Sequence, residues 1–178
     1  AFVHPWHTQP LTQANAQWQA LDLAALWPQA PRTQLTGTAN VVPAGEGWQG
    51  KLALSNVLPG PWNQQYLPVQ TLKADVSYVH DQWLLQAGRA TAAGGVISGD
   101  GGLKAGQWQG QLSLQNISPA AIDSRLASVP ISGTLKAQQT IKAITFAAQF
   151  QATQTKASPL KSTRDVDLLQ LQRLEAQG

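Results

Sequence analysis

This chain contains no cysteine and no methionine, and charged side chains make up only 12% of its 178 residues. The lack of Cys excludes a disulfide scaffold, a thiolate zinc site and a cysteine nucleophile. The charge content is about half of the ~25% usual for soluble domains. Twelve Lys and Arg against nine Asp and Glu leave a net charge of +3. The basic residues stand singly, as at Arg32, Lys51, Lys73, Arg89, Lys104, Arg125, Lys136 and Lys142. No cluster marks a face that tracks phosphates, so nucleic acid is not an expected partner. No apolar run approaches the ~20 residues that cross a bilayer as a helix. The first residues show neither the charged n-region nor the apolar h-region of a signal peptide, as in a mature chain or an internal fragment.

Uncharged polar residues take the place of the missing charge. Glutamine leads, with 24 residues, and hydrophobic residues make up 43%. That content is too high for a disordered chain, and the length suffices for one sizeable folded unit.

An internal repeat organises the sequence. Trp48 to Pro59 reads WQGKLALSNVLP and Trp108 to Pro119 reads WQGQLSLQNISP, with seven of twelve positions identical at an offset of 60 residues. A second element opens with an apolar residue, a hydroxyl residue and Gly: Leu35-Thr36-Gly37-Thr38, Ile131-Ser132-Gly133-Thr134 and the shorter Ile97-Ser98-Gly99. A third pairs Val69-Gln70-Thr71-Leu72-Lys73-Ala74 with Leu171-Gln172-Arg173-Leu174-Glu175-Ala176. The second copy of this element breaks off at Gly178, which predicts a piece of a longer repetitive protein. The expected organisation is one elongated β-repeat segment over 1–178, with echoes near 47–62 and 106–122 and an irregular stretch over 1–17.

The segments alternate with a period of two, as strands with one apolar and one polar face do. Trp48, Gly50, Leu52 and Leu54 alternate with Gln49, Lys51, Ala53 and Ser55. Trp108, Gly110, Leu112 and Leu114 alternate with Gln109, Gln111, Ser113 and Gln115. The same holds for Leu72, Ala74, Val76 and Tyr78, for Ile131, Gly133, Leu135 and Ala137, and for Ile144, Phe146, Ala148 and Phe150. Turns at 44–47, 80–82 and 105–107 join these segments into antiparallel hairpins. Nine or ten strands of about ten residues are expected. Single helical turns are expected at Leu21–Trp27, stopped by Pro28, and at Ala120–Ala127. Thr163 to Gln177 reads as strand near its end. The class is all-β: an elongated antiparallel sheet curled into a half-pipe, with a closed β-sandwich as the alternative.

Catalytic and metal chemistry find little support. His4 and His7 form an HxxH interrupted by Pro5, which reads as a solvated segment. His80 sits beside Asp81 at a hairpin tip. Asp165 and Asp167 would share one strand face without a partner acid. The glycines at 94–95 and 99–102 lack the Lys-Ser/Thr and the helix of a phosphate loop. No catalytic residue, metal site or cofactor is assigned, and the chain is read as a non-enzyme.

The predicted functional surface is the apolar wall: Leu52, Leu54, Leu72, Val76, Tyr78, Leu112, Leu114, Ile131, Leu135, Phe146 and Phe150. Lys51, Lys73, Asp75, Gln111, Gln115 and Lys136 should face away from it into solvent. Trp48, Trp83 and Trp108 each open a strand. An apolar ring with a polar N–H suits a groove rim, a core edge or a carbohydrate platform.

Three stretches carry a resemblance to a known family: LDLAALWPQAPRTQLTGT (21–38), LSNVLPGPWNQQYLP (54–68) and LQNISPAAIDSRLASVPISGTLKA (114–137). Their order is a strand ending in L-x-N, a Pro-containing linker, then a strand opening with an apolar residue and, two positions on, Gly-Thr. This resembles the repeats of the TamB family, within the wider AsmA-like group of envelope proteins, from about Trp18 onward. The resemblance implies a periplasmic location and an inner-membrane anchor elsewhere in the protein, in a Gram-negative bacterium. It also implies a β-taco with a hydrophobic groove for phospholipid, and an outer-membrane barrel partner of the TamA type. Three functional expectations stand together. They are a lipid conduit segment, a scaffold holding a β-strand at an open sheet edge, and a carbohydrate-binding β-domain built on the Trp residues.

Overall fold

The computed structural model describes residues 2–3, 11–140, 143–152 and 173–177. The strands are β1 (Phe2–Val3), β2 (Leu11–Leu21), β3 (Leu35–Ala44), β4 (Gly47–Asn56), β5 (Val69–Val79) and β6 (Gln82–Ala92). They continue as β7 (Gly95–Lys104), β8 (Gln107–Ile117), β9 (Ile131–Gln139), β10 (Ile144–Ala152) and β11 (Arg173–Gln177). All eleven join one sheet in sequence order, and every pairing is antiparallel. The sheet is not closed into a barrel. Each strand packs on its sequence neighbours, so the closed β-sandwich alternative is wrong. A sandwich needs a second sheet ~10 Å away over the apolar face, and the chain uses its strands to lengthen one layer instead.

The expected irregular stretch over 1–17 also needs correction, because β2 begins at Leu11. Its pairing with β3 sets Ala14 opposite Val41, Ala16 opposite Ala39 and Trp18 opposite Gly37. Ala against Gln gives little contrast in hydrophobicity, so this alternation is weak in sequence. It accounts for strands beyond the expected nine or ten. His4, His7, Asp165 and Asp167 lie outside the described residues.

Tight turns collect at one end of the sheet and long connections at the other. Ala44 pairs with Gly47, Val79 with Gln82 and Lys104 with Gln107, each across a two-residue turn at the first end. His80 and Asp81, and likewise Ala105 and Gly106, all take positive φ, the conformation that matches the twist of a two-residue hairpin. The linkers 22–34, 57–68 and 118–130 lie at the other end, together with the turn at Ala93–Gly94. Among the described residues helix is confined to the linkers: single 3₁₀ turns at Leu23–Ala25 and Trp62–Gln64, and α1 at Pro119–Ile122.

The best-buried residues gather at this linker end. Ile117 is 0% exposed and pairs with Ile131. Leu35, Thr33, Asn56, Ala92 and Ala93 are also buried. Asn56 is fully engaged there. Its Oδ1 accepts from the N–H of Gln34 (3.1 Å) and Leu58 (3.2 Å), and its Nδ2 donates to the carbonyls of Leu67 (3.4 Å) and Val69 (3.1 Å). Thr33 and Asp22 tie the first linker back on itself. The linkers also bind one another, Arg32 N–H to Gln65 O at 2.7 Å and Asn63 to Ser124 through two hydrogen bonds.

The glycine of the repeated apolar-hydroxyl-Gly element has a packing reason. A Cβ on Gly37 would lie 2.6 Å from the Trp18 ring, and one on Gly133 would lie 2.5 Å from the Phe150 ring. In both cases a large side chain of a neighbouring strand occupies the space that a Cβ would need.

Candidate functional site: the apolar face

Residues directly opposite in antiparallel strands project to the same side, so register alone sorts the side chains into faces. Four cross-strand rows make up most of the apolar face. At the turn end runs Pro43–Trp48–Tyr78–Trp83–Leu103–Trp108. Next comes Val41–Gly50–Val76–Leu85–Gly101–Gly110–Ala137–Phe146. The third contains Ala39–Leu52–Ala74 and, beyond a bulge in β6, Gly99–Leu112–Leu135–Ala148. Nearest the linkers lies Trp18–Gly37–Leu54–Leu72–Ala90–Ile97–Leu114–Gly133–Phe150. Ile131 stands just beyond it, opposite Ile117 and Ala152. All eleven wall residues and all three strand-opening Trp residues therefore lie on one side of the sheet. Lys51, Lys73, Asp75, Gln111, Gln115 and Lys136 lie on the other.

Among the described residues, nothing covers this face. Leu112 is 41% exposed, Phe146 41% and Trp83 53%. Leu112 was expected to be interior and its neighbour Gln111 solvated, yet both are exposed. The register is the expected one; Leu112 is open because the described residues form no second layer over it. Trp108, Leu103 and Ile144 are exposed on the same side.

Trp48, Trp83 and Trp108 occupy one row on alternate strands, about 10 Å apart at the usual strand spacing. Tyr78 fills a gap between them, its ring 4.8 Å from that of Trp83 and tilted by 43°. The Tyr78 hydroxyl donates to Asp81 at 2.7 Å. That bond and the carboxylate charge raise the Tyr78 pKa above its ordinary value. His80, at the same hairpin tip, contacts Glu46 of the neighbouring tip at 2.7 Å.

Trp18, Leu85, Ile97 and Leu103 belong to this face without having been singled out in the sequence. The β6 bulge explains part of that. Gln86 and Ala87 together oppose Asp100, so inward positions are odd at Trp83 and Leu85 and even at Ala90 and Ala92. A strict alternation read through Leu84-Leu85-Gln86-Ala87-Gly88 loses its phase there.

The two hollows bordering β6–β10, of about 530 and 1090 Å³, are lined by side chains belonging mainly to the polar face, such as Arg89, Asp100, Gln111 and Lys136. Among the described residues, no helix is long and apolar enough to cross a membrane and no group of three or more His, Asp or Glu could hold a metal ion.

Comparison with protein-family models, with curated proteins and with solved structures finds no match to this chain.

Proposed function

We propose that this chain is a non-enzymatic, periplasmic segment of a bridge-like envelope protein of the TamB type, in which the apolar face carries phospholipid acyl chains toward the outer membrane. The anchor in the inner membrane and the contact with a TamA-type barrel in outer-membrane protein assembly belong to other parts of the full-length chain. The structural support is one observation: large apolar side chains continue across β2–β10 on one side of a single layer, and no described residue covers them. In this reading the layer curls about an axis across the strands with that side as the inside of a half-pipe. The turn end and the linker end are then its two rims. An acyl chain lying across the strands gains about 0.8 kcal/mol per buried methylene, and the glutamine-rich outer face keeps the layer in water.

Native mass spectrometry of the purified chain tests the reading. Phospholipid should co-purify and should photo-crosslink from Leu112 but not from Gln111, its neighbour on the opposite face. Lipid-free protein, or equal crosslinking from both positions, would overturn it.

A second reading, a carbohydrate platform, is favoured by the exposure of Trp83 and Trp108 in one row. Glycan-induced quenching of Trp fluorescence, lost in Trp83→Ala and Trp108→Ala, would select it over the first.

A further inference from the structure

Pairing on the polar face sets Lys73 of β5 opposite Arg89 of β6, and Arg89 opposite Ser98 of β7. Ser98 in turn faces Ser113 of β8, and Ser113 faces Thr134 of β9. Every member of this row donates hydrogen bonds, and its first two members are cations. Like charges directly opposite each other destabilise a sheet. Elsewhere on the same face Lys51 stands opposite Asp75, the favourable arrangement. Among the described residues, Lys73, Arg89 and Lys136 form no ion pair.

The row also has a shape. Arg89, Ser98, Ser113 and Thr134 border the hollow of about 530 Å³, with Lys136 on its far flank. The bulge at Gln86–Ala87 lies beside them, and a bulge bends its strand and often adjoins a binding site. Asp100 is the carboxylate on the border, and it accepts a hydrogen bond from Gln111 at 2.8 Å. Two cations on the border, and Lys73 beside Arg89, outweigh it.

We infer that this row is a binding site for a phosphate-class anion on the face opposite the apolar wall. The Arg89 guanidinium offers a planar fork for two oxyanion oxygens, Lys73 and Lys136 act as point charges, and the hydroxyls complete the donor set. The anion relieves the repulsion between Lys73 and Arg89. Inorganic phosphate, a phosphate ester and a lipid phosphodiester share this chemistry. The inference does not depend on the lipid reading, because the recognised group carries no acyl chain.

The test is an amide NMR titration of the whole chain with inorganic phosphate at low salt, against sodium chloride at matched ionic strength. Phosphate should give saturable shifts concentrated at Arg89, Ser98 and Ser113, which chloride does not reproduce. Arg89→Gln should abolish them, Lys73→Gln should weaken binding several-fold, and Lys51→Gln, outside the row, should leave it unchanged. Arg89→Gln removes a like-charge pair, so without phosphate it should melt at or above the temperature of the parent chain. Phosphate should raise the melting temperature of the parent but not of the variant. Shifts spread over all Lys and Arg, equal effects of chloride, or unaltered binding in Arg89→Gln would overturn the site. A short-chain phosphatidylglycerol below its micelle concentration separates the sources. Competition with phosphate identifies a lipid headgroup as the ligand, and its absence identifies a free phosphate or a soluble ester.

Discussion

The hydroxyl of Ser132 accepts the backbone N–H of Asn116 at 2.9 Å, across the bulge that ends β8. Thr36 does the same for Ala20 at 3.4 Å, where β2 ends. In both places the donor residue takes positive φ, and the glycine after the hydroxyl residue receives a large side chain: Trp18 over Gly37 and Phe150 over Gly133. The apolar-hydroxyl-Gly element is thus a receptor for the bulge that launches a long linker. Ser132→Ala should lower stability by about 0.5–1.5 kcal/mol, and Ser132→Thr should restore most of it, as read by chemical denaturation.

The glycines themselves should separate sharply. An added Cβ on Gly133 would meet the Gln149 carbonyl oxygen at 2.1 Å, whereas on Gly50 nothing comes nearer than 3.7 Å. Gly133→Ala should destabilise by about 1–3 kcal/mol through overpacking. Gly50→Ala should be neutral or stabilising by about 0.5 kcal/mol, because it removes backbone freedom from the unfolded chain.

Asn56 and Asn116 occupy the same position in the two copies of the repeat, yet mutation should treat them differently. Asn56 is 5% exposed and meets four backbone groups. Asn116 is exposed with φ at +55°. Asn56→Ala should cost about 2–3 kcal/mol, since it strands buried donors and acceptors. Asn116→Gly should stay within about 0.5 kcal/mol, because glycine adopts that φ freely. Equal thermal shifts for the two variants would show the copies to be equivalent after all.

A charge on the apolar face should separate folding from function. At Leu112 a carboxylate remains in contact with water, so Leu112→Asp should cost less than about 1 kcal/mol, and the variant should reach normal abundance. Co-purified phospholipid should fall strongly, while Gln111→Asp on the opposite face should leave it unchanged. Collapse of Leu112→Asp would mean that the face is sealed in solution.

Arg125 donates to Asp123 through Nε at 2.9 Å, through Nη2 at 2.5 Å and through its backbone N–H at 3.0 Å. These bonds hold the Asp123 pKa down at about 2. A carboxylate depressed in the folded state stabilises the fold above its unfolded pKa. That contribution is lost as pH falls from the usual carboxylate range through about 2. An NMR pH titration of the folded chain should therefore show the Asp123–Arg125 contact in the 118–130 linker intact from neutral pH to below about 4 and released as Asp123 protonates near pH 2. Arg125→Gln should move the transition upward.

Alternation in the sequence determined most of the strands and the common face of eleven wall residues, but not β2 or the places of Trp18, Leu85, Ile97 and Leu103. Leu112 and Gln111 fall on opposite sides of any strand that contains both, because successive side chains point opposite ways. The 60-residue echo likewise set two hairpins of the same kind, ended by long linkers. Pairing, and the single layer that the described strands form, were decided only in three dimensions. Whether Leu112 is covered depends on what lies some 10 Å away, and no local pattern carries that. The phase change in β6 depends on the bulge at Gln86–Ala87, which appears only once β6 is paired with the strands at either side. The meeting of Lys73 with Arg89 required the register of two strands to be settled first. Their sixteen-residue separation gives no sign that two like charges end up face to face.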